Sequence, residues 1–588
     1  LTRTREVSRY ITGVKTEGSS LKRSASSRAI FLWRIVRQWK YRIALALAGL
    51  SFISLTSLLY PWLLKLMVDR FAGHGSSGVS VDLLTMLLLG VFLASAVVGH
   101  YEQIEMRRLG LRLRNTLRTT LYDSLLAKPM SFHRNARVGE LSARATEDIG
   151  LFQTLFPGLL APAFQNLLFI SGCLLLMVSL NWVATVLVVL LVLLPIPLFH
   201  TLSRSIRRYA VESRMDQARA NAFFEESLVA VREIKSFVRE KLELQRYARL
   251  LDRAFHSEVQ GSILQVKMNQ VAYMLVSAAL LAVFYTGTRR SFLPEWTVGD
   301  VIAFYFYSYT MTMSVLSVGK VYMSYQEITG ALDRVMGLLH EVATQVDGPP
   351  NTGTVGQIGS IEFCDVTFSY DHSRNVLEGV SFQVDQGAWQ VITGPSGGGK
   401  STLANLLMGF YRPDGGSLLV SGVPIERWNM ESLRGQIGYV GQNPILFHGT
   451  MRDNITLACS GVPSDKVDRA VEQSCLGEFI DSLPEGLDTL IGERGYTLSG
   501  GQKSRVAIAR AIILDPALLL LDEANAMLES ELEIRLWRNL AGIRRSKTTI
   551  IISHHCEYIP GGDNALQLLN GKISRPATRE ELTAAIRQ

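Results

Sequence analysis

Val391–Thr402 reads VITGPSGGGKST and contains GxxxxGK followed by serine between Gly394 and Ser401. Phosphates crowd several negative charges into a small volume. A loop that receives them needs backbone N–H groups pointing inward, which glycines permit because no Cβ blocks the approach. The spacing marks Gly394, Pro395, Ser396, Gly397, Gly398, Gly399, Lys400, Ser401 and Thr402 as nucleotide-binding candidates. Lys400 would reach the β and γ phosphates, and Ser401 would bind Mg²⁺. The apolar strand before the loop and the helical run TLANLLMGF after it predict an α/β phosphate-loop domain, its helix offering a positive end to the phosphates.

A second stretch of that domain, Leu518–Ser530, reads LLLLDEANAMLES. Four leucines ending in two acids describe a buried strand that delivers carboxylates to a nucleotide. Asp522 would hold Mg²⁺ directly or through water, and Glu523 would polarise the attacking water. ATP and Mg²⁺ are thus the expected cofactors.

With 588 residues the chain is too long for one core, and 48% of it is hydrophobic with positive mean hydropathy. The apolar residues concentrate before about residue 340, in six stretches of membrane-spanning length: 43–64, 81–99, 155–180, 182–199, 271–288 and 301–319. The third and fourth meet at Asn181 and must form a hairpin. Between spans lie charged segments of helical periodicity, 101–126 and 203–260, too polar for lipid, so the spanning helices are expected to continue into the cytoplasm. The expected domains are an arm, 1–28; a six-span helical membrane domain, 29–340; a Gly/Pro-rich linker, 341–358; and the α/β ATPase, 359–588.

The net charge of +8 follows this topology and does not indicate nucleic acid as a partner. Basic residues gather in the arm (Lys22, Arg23, Arg28, Arg34, Arg37, Lys40, Arg42), after span two (Arg107, Arg108, Arg112, Arg114, Arg118) and after span four (Arg204, Arg207, Arg208, Arg214, Arg219). These are alternate loops of a serpentine chain, so the positive-inside bias places both termini in the cytoplasm. The first apolar run starts near Ile43 behind the basic arm, and span one is expected to serve as the insertion signal in place of a cleaved leader. Five cysteines with no CxxC pair make no metal or disulfide framework. Cys364, Cys459, Cys475 and Cys556 are expected as reduced thiols. No cysteine precedes Cys173, which disfavours a leading peptidase domain.

The chain resembles the ATP-binding-cassette (ABC) transporters. Leu498–Gln502 is LSGGQ, that family's signature, placed between the phosphate loop and the acidic strand. The resemblance makes Tyr370 the aromatic that stacks on adenine, Gln442 the loop glutamine that also meets Mg²⁺, and His554 the switch histidine at the γ phosphate. Gly492–Gly495, GERG, looks like the segment found in cassettes of exporter type. Phe132–Leu141 (FHRNARVGEL) and Glu226–Glu240 (ESLVAVREIKSFVRE) are similar to the two cytoplasmic coupling segments. Six spans fused to one C-terminal cassette imply a half-transporter that pairs with a second, in a bacterial inner membrane. Each ATP would lie between one chain's phosphate loop and the other chain's Ser499, Gly500, Gly501 and Gln502.

Family members usually read DEATSALD where this chain reads DEANAMLE. Ala526 replaces a serine and Glu529 an aspartate in a loop that crosses to the partner's nucleotide. That departure points to a heterodimer with unequal sites; a homodimer tolerating the changes is the alternative. For cargo, span six carries Phe304, Tyr305, Phe306, Tyr307, Tyr309, Met311 and Met313, of which Tyr305, Tyr309 and Met313 repeat every four residues on one face. Such a wall suits a bulky amphipathic small molecule, although helix packing or lipid contact is the readier explanation. Export is the expectation from the resemblance, with uptake of a metal-loaded siderophore of yersiniabactin type as the alternative. Lys65 and Asp69, four apart, are expected to form a boundary salt bridge.

Overall fold

The computed structural model describes residues 25–72, 80–136, 138–193, 196–288, 296–340, 356–371, 373–459, 461–492, 498–525, 527–554, 558–560 and 565–577. The chain divides into two compact units, one of residues 1–126 and 138–341 and one of residues 127–137 and 342–588. Most of the expected arm and linker, with Glu493, Arg494, Gly495, Ala526, His555 and Cys556, lies outside the described residues.

Among its described residues the first unit is helical: α1 (Ala25–Val36), α2 (Lys40–Phe71), α3 (Val81–Leu126), α5 (Ala161–Leu180), α6 (Trp182–Leu193), α7 (Ile196–Val229), α8 (Val231–Ser236), α9 (Glu240–Thr288) and α10 (Val298–His340). Helix α4 (Met130–Asn135) groups with the second unit. Among the described residues, four helical runs are long and apolar enough to cross a membrane: Ile30–Phe71, Val81–Leu126, Leu141–Leu180 and Val298–Leu339. Trp182–Leu193 is a shorter apolar helix, where the fourth span was expected. The fifth expected span forms the end of α9.

Helices α3, α7, α9 and α10 run far past their apolar portions, as the periodicity of the charged segments predicts. Helix α3 alone has 46 residues, about 70 Å at 1.5 Å per residue, more than twice a bilayer core. Pro61 sits inside α2, which forgoes one backbone hydrogen bond there. Asn181 terminates α5 with its N–H on the Met177 carbonyl and caps α6 through Oδ1, which accepts from the Ala184 N–H at 2.9 Å. That single asparagine turns the chain between two apolar helices.

Lys65 pairs with Asp300 and not with Asp69: its Nζ lies 2.5 Å from Asp300 Oδ1, both side chains largely buried. Asp69 Oδ1 instead accepts from the Gly299 N–H at 2.9 Å. The first turn of α10 leaves its N–H groups without helical partners, and a carboxylate from α2 reaching one of them is worth more than a solvent-exposed i,i+4 pair.

Among its described residues the second unit has two large sheets and a two-stranded ribbon, Gly449–Thr450 with Leu490–Ile491. Strands β1 (Ile361–Phe368), β2 (Leu377–Val384), β4 (Gly415–Val420) and β5 (Val423–Pro424) make an antiparallel sheet in the order β2-β1-β4-β5. Strands β3 (Trp389–Thr393), β6 (Ile437–Val440), β7 (Leu518–Asp522), β8 (Thr548–Ile552), β9 (Ala565–Leu569) and β10 (Lys572–Ala577) form the order β10-β9-β3-β8-β7-β6, parallel except for β10. Every residue of β7 and β8 is buried, as the unbroken apolar runs LLLL and TTIII require of strands covered on both faces. Helices α11 (Lys400–Leu407), α12 (Gly500–Ile512) and α13 (Ser530–Ile543) complete the parts that position the site.

Candidate nucleotide site

Strands β3, β7 and β8 are neighbours, and the segments leaving their carboxyl ends carry the predicted residues to one place. Gly399 caps α11 at φ 99°, and a Cβ there would lie 2.9 Å from the Leu377 side chain. Gly394 at φ 150° passes so close to the Leu568 carbonyl that no side chain fits. Pro395, Ser396, Gly397 and Ser401 are exposed; Gly398, Lys400 and Thr402 are buried.

Lys400 donates to the carbonyls of Gly394 at 2.8 Å and Pro395 at 2.9 Å. Burial lowers its pKa, while the Glu523 and Asp522 carboxylates oppose that shift. His554 Nε2 lies 3.2 Å from Lys400 Nζ and 3.0 Å from Glu523 Oε1, and the Gln442 amide donates to Glu523 Oε2 at 2.6 Å. Four of the predicted residues thus form one cluster with Glu523 at its centre. The Glu523 backbone is left-handed, φ 53°, with its N–H on the Ile552 carbonyl, a strained conformation of the kind that collects at functional sites.

Asp522 is 3% exposed and its Oδ1 has no hydrogen-bond partner. Desolvation raises its pKa, against a lowering hydrogen bond from Ser401. A buried carboxylate with an orphaned oxygen beside a serine hydroxyl fits a hard cation that takes its other ligands from phosphate and water. A raised native pKa means that Asp522 favours the folded state only below the ordinary carboxylate range, and that benefit is lost as pH rises through its native value. At neutral pH its charge is therefore a stability cost. Asp522→Asn should raise stability by about 0.5–2 kcal/mol while removing Mg²⁺-dependent ATP turnover. Thermal melting paired with an ATPase assay checks both; a lowered melting temperature would contradict the orphaned-charge account.

Tyr370 is held by its hydroxyl, 3.2 Å from Thr402 Oγ1 and accepting from the Asn405 amide at 3.1 Å, with Tyr411 edge-on at 5.0 Å. The Arg134 guanidinium covers its ring at 4.1 Å, in a cleft of about 470 Å³ lined by Met130, His133, Arg134, Tyr370, Asn405 and Tyr411. A base stacking on this ring must share it with Arg134. The sequence reading did not anticipate this partner, because an arginine in a basic turn carries no local signal.

Ser499 caps α12: Ser499 Oγ accepts from the Gln502 N–H at 3.3 Å, and Gln502 Oε1 accepts from the Ser499 N–H at 2.9 Å. Gly500 and Gly501 lie against Met527, whose sulfur would meet a Cβ on Gly500 at 2.0 Å. The signature and the loop after Glu523 therefore touch within one chain. Glu529 is exposed and caps α13 with its backbone alone.

In the helical unit, Tyr305 and Tyr309 are exposed and Met313 half-buried on their predicted common face. Phe304, Tyr307 and Met311 turn the other way, into a core with Cys173, Met177 and Val188. Those three pack helices together; Tyr307 also donates to the Leu58 carbonyl at 2.9 Å.

Comparison with known proteins bears on the family of the whole chain. The ABC transporter transmembrane region matches residues 43–315, and the family described as ABC transporter matches residues 377–526. ABC transporter B family member 1 of Dictyostelium discoideum is 28% identical over 92% of this chain, which spans 59% of that protein. ATP-binding cassette sub-family B member 10, mitochondrial, of Mus musculus is 30% identical over 97% of this chain and 82% of its own length. The structure of a bacterial Atm1-family ABC exporter with ATP bound aligns with TM-score 0.80 and 26% identity, covering 93% of this chain and 97% of that one. Span-length helices joined to a cassette with phosphate loop, signature and acidic strand in these positions, and 30% identity along most of a relative, establish that the chain belongs to the ATP-binding-cassette transporters, a family of ATPase-coupled translocases.

Proposed function

We propose that this chain is one half of a dimeric exporter that uses ATP hydrolysis to move a bulky amphipathic small molecule across a bacterial inner membrane, its termini in the cytoplasm. The observation that carries this is the convergence of Lys400, Gln442, Glu523 and His554 on one point in a chain whose other unit has four span-length helical runs among its described residues. Lys400 binds the phosphates and the Asp522 and Ser401 pair holds Mg²⁺, which supplies charge neutralisation on them. Glu523 orients the attacking water with Gln442 and His554 on its two oxygens. Tyr370 supports the base. Ser499, Gly500, Gly501 and Gln502 serve the partner's ATP.

The partner is a different chain. Ala526, Met527 and Glu529 depart from the family's loop while this chain's own nucleotide residues are kept, which supports unequal sites. An apolar tip on the helical unit, Leu228, Val229, Val231, Phe237 and Val238, is exposed and supports association with a second protein. The Tyr305, Tyr309 and Met313 face receives cargo. The uptake alternative has no supporting observation of its own, and one solved structure that the chain resembles is an exporter.

The test is transport in vesicles of both orientations, with the chain alone and with a co-expressed second half-transporter. Outward, ATP-dependent movement of an amphipathic dye only in the co-expressed sample is expected. The paired change Tyr305→Ala with Met313→Ala should reduce dye stimulation of the ATPase by about 10-fold or more, the loss of two large apolar contacts. Full activity of the chain alone would sink the heterodimer, and stimulation by a ferric chelate without response to the dye would sink the export reading.

A further inference from the structure

The loop after Glu523 carries a buried polar bridge. Asn525 is 4% exposed and uses both ends of its amide. Its Nδ2 donates to Glu533 Oε1 on α13 at 2.7 Å, and its Oδ1 accepts from the Ser553 hydroxyl at 3.1 Å. Trp537 Nε1 donates to the same Glu533 oxygen at 3.2 Å. Glu533, Trp537 and Ser553 are all buried. Ser553 immediately precedes His554, and its N–H is held by the Ile392 carbonyl at 3.1 Å.

We infer that Asn525 is a positioning residue of the ATPase site: through Ser553 it sets where His554 stands relative to Glu523 and Lys400. This rests on the functional reading given above. His554 Nε2 sits within hydrogen-bond reach of both groups, so a displacement of its backbone by a fraction of an ångström decides which it meets. The bridge anchors that backbone to the segment that follows Glu523 and to a helix, fixing both sides of the cluster from behind. Glu533 makes the anchor strong, because a buried carboxylate accepting two N–H groups is costly to leave unmade. The family string has threonine where Asn525 stands. A threonine hydroxyl can still accept from Ser553 and donate to Glu533, though on a shorter arm than the amide. The bridge also connects the loop that touches Gly500 and Gly501 to the histidine, so a change in that loop's shape reaches His554 by a route made of side chains.

The experiment measures ATP hydrolysis by the full-length chain in its dimer, with Asn525→Ala, Asn525→Thr, Ser553→Ala and Trp537→Phe, and Glu523→Gln as reference. Asn525→Ala and Ser553→Ala should each lower kcat about 10- to 100-fold with KM for ATP within about 2-fold, the pattern of a misplaced catalytic group. Their double variant should lose no more than either alone. Asn525→Thr should recover most of the rate, and Trp537→Phe should lower the melting temperature without the kcat loss. Wild-type kcat in Ser553→Ala, or losses that track melting temperature across all four variants, would overturn the inference. If Asn525→Ala does not fold, Ser553→Ala decides. An undiminished rate in Glu523→Gln would instead remove the reading of the site itself.

Discussion

Glu523→Gln should cut steady-state ATP hydrolysis by about 100- to 10,000-fold while nucleotide binding persists. Each carboxylate oxygen of Glu523 has a fixed neighbour, the Gln442 amide on one and His554 on the other. The substituted amide keeps the shape, but one of its ends becomes a donor. Placed toward Gln442 it sets two NH₂ groups face to face, and placed toward His554 it surrenders the acceptor that would take the water's proton. Binding should survive because Lys400 and the phosphate loop are untouched. Nucleotide binding measured alongside single-turnover hydrolysis separates the two, and retained turnover would exclude Glu523 from the chemistry.

Arg544→Ala should destabilise the ATPase unit by about 3–5 kcal/mol, the cost of leaving several buried carbonyls without the charged donor that joins them. The guanidinium is 2% exposed and donates to the carbonyls of Pro516, Ala517 and Thr548 and to the Thr549 hydroxyl. Burial pushes its pKa down to about 10, so it remains charged at neutral pH. Those carbonyls sit where β7 and β8 begin, and no other donor replaces an arginine that reaches all of them. Arg544→Lys should recover only part of the loss, since one ammonium lacks the planar fork. Urea unfolding of the full chain followed by ATPase loss measures both; a shift under about 0.5 kcal/mol, the size expected of an ordinary surface position, would contradict the network account.

The phosphate loop, the signature and the acidic strand were legible because each is contiguous: the residues that share a job are neighbours in the chain. So were four of the six expected spans, since composition alone decides length against a bilayer; the fourth forms a shorter apolar helix and the fifth the end of α9. Lys65 was given the wrong partner because its true one, Asp300, is 235 positions away, whereas Asp69 is one helical turn along. The stripe in span six showed which residues share a face, but periodicity does not say which face meets other helices. Phe304, Tyr307 and Met311 face Cys173 and Met177 while Tyr305 and Tyr309 do not. Arg544 reads as an ordinary basic residue at a helix end. Asn525 differs visibly from the family string, yet its meaning depends on Glu533 and Ser553, which only folding brings beside it.

The tie between α2 and α10 bears on how the helical unit can move. Lys65, Asp69, Asp300 and the Gly299 backbone meet at the end of α10 remote from residue 340, and a Cβ on Gly299 would lie 2.6 Å from the Lys65 carbonyl. Separating the two helices here rehydrates one cation and two anions and breaks a charge-assisted hydrogen bond worth about 1.5–3 kcal/mol by itself. Thermal motion alone would then part these helices in at most a few per cent of molecules. Two span-length helices joined this way move as one body at this end, so any rearrangement of the helical unit carries both together.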